Sequence, residues 1–377
     1  MLVKRFGMNR SDFLSTQYGQ AAVVTIGSVV LSMVRPPAAE AHVKWFAPFD
    51  IASPPRPFTE TLTTPWFWLA VAIAVLVFAM TVAVERTTFA DRVLAVMDRA
   101  AKPLWNRADD FVRATTAAFF IAIFVIGDVY LTPDLKTHSQ WVCWAQLFIA
   151  AGLFSRRTMW LSGIGILTLW STALHEYQLF HLLDYLVLGV GVAGYLVLFS
   201  LEETSWRARR FTLLRWAIAI TLMRSSLEKF AYPEWFYPLA QEKPFLTLGM
   251  PADVFLPMAG VVEFVLGLGL IWTPIVRRLS AIALLIVFNA AVLPFGRMDL
   301  VGHSLLIMML VIATIEPAGD GQFAPAFRRA IVGAPIGFIV ALALLAPTYW
   351  NLHEVLYGRE RPAQISVFVG QHDRPAM

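Results

Sequence analysis

Long apolar runs, separated by short polar turns, organise most of this chain. Read at the ~20 residues needed to cross ~30 Å of hydrocarbon, they predict ten spans. The first five are Trp66 to Val84, Ala114 to Leu131, Trp141 to Phe154, Thr158 to Leu174 and Leu182 to Leu201. The second five are Phe211 to Phe230, Val254 to Thr273, Leu279 to Pro294, Leu300 to Ile315 and Ala330 to Pro347. The runs are continuous and do not alternate, so helices, not barrel strands, are expected to satisfy their backbone. The segment Glu85 to Arg113 mixes charges with Val93, Leu94, Val96 and Met97 and predicts an amphipathic helix at the interface. The fold class is therefore all-α, a polytopic transmembrane helical bundle of about ten spans.

The amino-terminal run Ala21 to Val34 follows Lys4, Arg5 and Arg10 and precedes Ala39-Glu-Ala41. That is the layout of a signal peptide with an A-x-A cleavage site, or of a retained signal anchor. The expected units are 1–41 as signal peptide or anchor and 42–65 as an extracytoplasmic loop rich in proline. A five-helix membrane block at 66–205, a four-helix block at 206–316, and a final helix with an extracytoplasmic tail at 317–377 complete the chain. The charged loop Glu202 to Arg210 divides the two blocks.

Charge then sets the orientation. With the amino terminus inside, each inner loop holds at least two basic residues, among them Arg156 with Arg157, Arg277 with Arg278, and Arg328 with Arg329. This obeys the positive-inside rule and predicts a multi-pass protein of the bacterial inner membrane. Composition agrees: 58% of residues are apolar and only 15% charged. The net charge of +4 is a signature of topology and gives no reason to expect a nucleic-acid partner. A single cysteine, Cys143, excludes an internal disulfide or a Cys-x-x-Cys relay. No phosphate loop or dinucleotide fingerprint is present.

All seven histidines fall on or near the outer side of this topology, which makes the extracytoplasmic face the expected functional face. Arg224 and Glu263 sit at matched depth below the outer ends of adjacent spans and are expected to pair, since a lone charge in hydrocarbon is costly. Glu228, one turn from Arg224, and Lys229 beside it extend the cluster. Asp299 and His303 share a helical face, a carboxylate behind an imidazole, and Asn289 lies at comparable depth on the preceding span. A third group, His175, Glu176, His181 and Asp184 at one outer turn, with Asp128 nearby, offers metal ligands without matching a named motif. His42 would become the new terminus after cleavage at Ala41, where its amine and imidazole could chelate copper. Haem is disfavoured, because no span carries two well-separated histidines.

The run Leu214 to Lys229, the segment Gly260-Val-Val-Glu263, the glycine-rich helix after it, Trp272-Thr-Pro274 and Arg277 resemble the DoxX/DoxD family of four-helix membrane proteins. The resemblance covers Phe211 to Ile315. It departs from the family at Ser225-Ser-Leu-Glu228, where glycine usually precedes the lysine, and at Asp299-Leu-Val-Gly-His303, the entry to the last helix. Members are associated with thiosulfate:quinone oxidoreduction and with redox or thiol-stress complexes. The resemblance thus implies a quinone-linked or redox-accessory role, as a subunit of an oxidoreductase, with a membrane or periplasmic redox partner. On this reading Glu263, His303 and Asp299 handle protons, and Arg224, Glu228, Lys229 and Asn289 bind substrate in an outer-leaflet pocket. The alternatives are a non-enzymatic copper-handling or transport protein using the outer histidines, and a structural assembly partner. Quinone and copper are the two cofactor candidates.

Overall fold

The computed structural model describes residues 50–319 and 326–358; the segment 1–41 and His42 lie outside the described residues. Those described are helical, with no strand beyond an isolated bridge between Val129 and Lys136. The main helices are α1 (Pro65–Glu85), α2 (Thr88–Trp105), α3 (Ala108–Ile126), α4 (Gln140–Gly152), α5 (Met159–Ala173) and α6 (Leu179–Ser200). They continue with α7 (Arg210–Ser226), α8 (Ala252–Gly269), α9 (Pro274–Phe295), α10 (Arg297–Ile315) and α11 (Gly333–Tyr357). Each expected span falls on one of these helices, and the amphipathic stretch is α2. Six of them, α1, α6, α8, α9, α10 and α11, are long and apolar enough to cross a membrane. The other four are shorter or more charged: α4 has 13 residues, α5 has 15, α7 has 17, and α3 opens on Asp109 and Asp110.

Several ends differ from the hydrophobic pattern for local reasons. α3 stops at Ile126, short of Leu131, because Gly127 and Asp128 both take positive φ, 73° and 51°. The span expected to reach Phe230 breaks after Ser226 and resumes as a single turn, Glu228–Ala231. α11 runs through Pro347 to Tyr357, because Tyr349, His353 and Tyr357 beyond the proline are buried against the bundle.

α7 is the central helix. Gly191 of α6 meets Ala217 and Gly267 of α8 meets Leu222 and Met223 so closely that a Cβ would crowd them, the small-residue contact that lets helix backbones approach where water provides no drive. Helices of both hydrophobic blocks share one core: α6 packs on α7, α1 on α8, and α3 on α10. The outer surface is the reverse of a soluble protein's. Leu293 is 87% exposed, and Phe148, Leu76, Ile286 and Leu344 also face outward, forming a belt suited to lipid.

One end of the bundle is closed by arginines. The last carbonyls of a helix have no intrahelical donors, and here arginines from neighbouring elements supply them. Arg113 donates to Leu153 O (3.0 Å) and Phe154 O (2.9 Å) beyond α4, and Arg156 to Phe199 O (2.9 Å) and Leu201 O at the end of α6. Arg277 and Arg278 donate to Glu316 O (2.7 and 2.9 Å) beyond α10, and Arg328 to Ile271 O (2.6 Å) beyond α8. Each cation also faces the negative end of a helix dipole. A complementary contact forms where the Glu85 carboxylate at the end of α1 accepts from Ile275 N (3.0 Å) at the start of α9.

At the opposite end a strap, Ile51 to Arg56, crosses between the first and last helices. His353 Nε2 lies 2.9 Å from Ile51 O, Trp350 Nε1 donates to Arg56 O (2.8 Å), Tyr232 Oη donates to Ser53 O (3.2 Å), and Arg56 N donates to Ala231 O (2.8 Å).

Two outcomes test this architecture. Single cysteines introduced into a Cys143-free chain should react with an impermeant reagent in intact cells at Gln178 and be protected at Ser205; the reverse pattern would invert the bundle. Arg113→Met should lower stability by about 1–3 kcal/mol, the effect of orphaning buried carbonyls, seen as an earlier thermal transition of detergent-purified protein. An unchanged transition would mean that the arginine does not hold the end of α4.

Candidate functional site

The turn between α3 and α4 is ordered by backbone and side-chain hydrogen bonds. Tyr130 N donates to Leu135 O (2.7 Å) and Thr137 N to Asp128 O (2.8 Å), and buried Gln146 of α4 donates to Val129 O (2.6 Å) and Tyr130 O (2.9 Å). This places the Asp134 carboxylate inside the bundle. It accepts from Tyr185 Oη (2.5 Å) and from Thr132, and His181 Nε2 lies 3.4 Å away. Burial alone would raise the Asp134 pKa. The hydrogen bonds from His181, Thr132 and Tyr185 outweigh it and hold the carboxyl at about 2. On the same turn, burial and then the bond to Glu176 push the Tyr130 phenol upward.

The expected metal group does not assemble. Glu176 accepts from Tyr130 Oη (2.6 Å) and Thr137 Oγ1 (2.9 Å), His181 turns to Asp134, Asp184 pairs with Arg224, and His175 is exposed. Asp128 is exposed as well, and Asp134 takes the inward place beside His181. Among the described residues no three His, Cys, Asp or Glu side chains stand close enough to share an ion. Nearness in sequence failed here because other elements reach each ligand first.

The charged cluster forms with different partners. Arg224 pairs with Asp184 of α6, not with Glu263, and Glu263 pairs with Lys229. Arg224 and Lys229 are five positions apart, with a helix break between them, so the two cations leave on different sides. Arg224 enters an aromatic box, 5.4 Å from the Phe180 ring and 5.2 Å from that of Tyr349. Buried Glu228 acts electrostatically on Arg224, Tyr185 and Tyr349. The Tyr185–Asp134 and Arg224–Asp184 contacts thus set a partly buried polar layer along α6, with buried Glu228 near it.

Asp299 and His303 do meet, His303 Nδ1 lying 3.0 Å from Asp299 Oδ1 in the first turns of α10. Asn289 does not join them: it is exposed and donates to Leu285 O (2.7 Å) of its own helix. The His303 ring rests against Phe288, with centroids 5.0 Å apart.

A cleft of about 480 Å³ opens beside Lys229. Its lining includes apolar Trp66, Phe230, Leu256 and Pro257 and polar Arg56, Glu60, Tyr237 and Asp253. Tyr237 Oη donates to Asp253 Oδ1 (3.0 Å), and Arg56 is bridged to Glu234 at 3.2 Å. Of the residues expected at the site, Lys229 lines this cleft and Arg224, Glu228, Glu263, Asn289, Asp299 and His303 do not. Arg56, Tyr237 and Asp253 were missed because they lie in separate segments whose mutual approach no spacing reveals.

Residues 211–297 match the DoxX family. The match covers α7, α8 and α9 and ends at the first residue of α10, earlier than the resemblance to Ile315 suggests. No curated protein and no solved structure matches the chain. The chain is a membrane protein with several apolar helices, carrying a DoxX segment around its central helix.

The Asp134 network yields a pH dependence with a defined sign. A carboxyl lowered from 3.8 to about 2 on folding adds stability, about 2 kcal/mol. That stability is complete above pH 4 and lost as pH falls towards 2. Wild-type protein should lose thermal stability across that window, whereas Asp134→Asn should melt lower at neutral pH and change less on acidification. Parallel acid profiles would show that Asp134 carries no such linkage.

Proposed function

We propose that this chain is a ten-span inner-membrane protein, with its functional face extracytoplasmic, that serves a quinone-linked redox-accessory role through the cleft beside Lys229. The observation that carries the reading is Lys229, ion-paired with Glu263, on a cleft lined by both apolar and polar side chains. Its volume lies in the ~300–1,000 Å³ range of small-molecule sites. An aromatic head with polar oxygens on its ring fits such walls.

In this role Lys229 holds a ring oxygen of the quinone, on which negative charge grows during reduction. Glu263, in contact with Lys229, supplies a carboxylate through which the accompanying proton can pass. The electrons come from a separate membrane or periplasmic redox partner. The Asp299–His303 pair and the buried layer around Arg224 stand outside the cleft and serve it by fixing the helices that form its walls.

Removing one member of a buried pair strands the other, whereas replacing both by apolar residues often leaves the fold intact. Lys229→Met with Glu263→Leu should therefore give a folded, membrane-inserted protein whose quinone affinity falls at least about tenfold, the effect of roughly 1.4 kcal/mol. Glu263→Leu alone should also destabilise the protein. Quinone titration monitored by tryptophan fluorescence checks this, and an unchanged affinity in the double variant would sink the proposal.

A further inference from the structure

Between α8 and α9, at the arginine-closed end, the turn Trp272 to Arg278 gathers donors that the fold leaves unused. Arg278 has no exposed surface, and its Nη2 serves Asp98 and Glu316 O, yet its Nε and Nη1 meet no acceptor. Arg277 is 7% exposed and gives Nη2 to Glu316 O and Pro317 O, while its Nε meets none. The buried indole Nε1 of Trp272 is in the same position. Arg215 and Arg328 add further charge, since each lies close enough to act on this group or on the other.

Among the described residues, the carboxylates facing these four guanidinium groups are Glu316, Asp98 and Glu85, which leaves one positive charge in excess among them. Buried N–H groups without acceptors are rare in folded proteins and call for a partner. A net positive cluster selects an anion, and guanidinium groups approaching from two sides suit the several acceptor directions of a tetrahedral oxyanion. The turn stands where helices end, at the level of lipid headgroups if the apolar belt spans the hydrocarbon.

We propose that the turn Trp272 to Arg278, with Arg215 and Arg328 at its sides, binds a phosphate group, carried either by an anionic phospholipid or by free phosphate. This site is at the other end of the bundle from the Lys229 cleft and does not depend on the quinone reading.

The test uses full-length protein in a zwitterionic detergent, followed by thermal unfolding. One arm compares sodium phosphate with sodium chloride at equal ionic strength. The other compares micelles containing phosphatidylglycerol with micelles containing phosphatidylcholine. A ligand that binds only the folded state raises the transition, and a rise of at least about 2 °C in either arm is expected. A response to phosphatidylglycerol alone identifies the headgroup as the source, and a response to phosphate identifies the free anion. Arg278→Lys keeps a cation for Asp98 but lacks the unused donors, so the rise should shrink by at least about half. If that variant does not fold, Arg215→Gln should show the same reduction. No rise in either arm, or a full rise in the variant that folds, overturns the proposal.

Discussion

The final carbonyls of a helix have no donors within their own helix, and at the edge of a lipid phase little water can replace them. In this bundle the ends of α4, α6, α8 and α10 meet that constraint with arginines from neighbouring segments. One guanidinium can serve two carbonyls while opposing the helix dipole. Arg113, Arg156 and Arg277 each do so. The charges that a sorting rule counts in loops are therefore part of the architecture, fastening each helix end to the next element.

The strap end of the bundle solves a different problem. Its charges lie partly within the bundle, so each must find a counter-group there. Arg224 takes Asp184 and two aromatic faces, Lys229 takes Glu263, and Asp134 takes hydroxyl and imidazole neighbours. α7 and the turn after it send one cation toward α6 and the next toward α8. The DoxX segment thus holds the centre of the molecule, and helices from both sides of the sequence complete its surroundings.

What was legible in the sequence follows from the range of each interaction. Apolar runs are local, so every expected span found its helix, and the i,i+4 contact of Asp299 with His303 formed as the spacing requires. The Arg224–Glu263 pair was expected from depth alone. Depth says nothing about rotation around the axis, and the break after Ser226 turned the two cations apart. The outer turn offered His175, Glu176, His181 and Asp184 together, but Tyr130, Thr137, Asp134 and Arg224 come from elsewhere in the chain and divide them. The arginines announced a side of the membrane but not their acceptors, which are carbonyls and leave no mark in the sequence.

The strap from Ile51 to Arg56 has a consequence for how the molecule is made. Its bonds to Trp350 and His353 join residues 294 and 302 positions apart, so this edge cannot close until almost the whole chain has emerged. Contacts of such separation form late, after the entropy of a very long loop has been overcome. The last helix acts as a clasp, and until it arrives Arg56 at the cleft is held by its contacts to Ala231 and Glu234 without the bond from Trp350. Completion of the cleft is thereby tied to completion of synthesis, and a chain released early would carry its DoxX segment without a closed strap end.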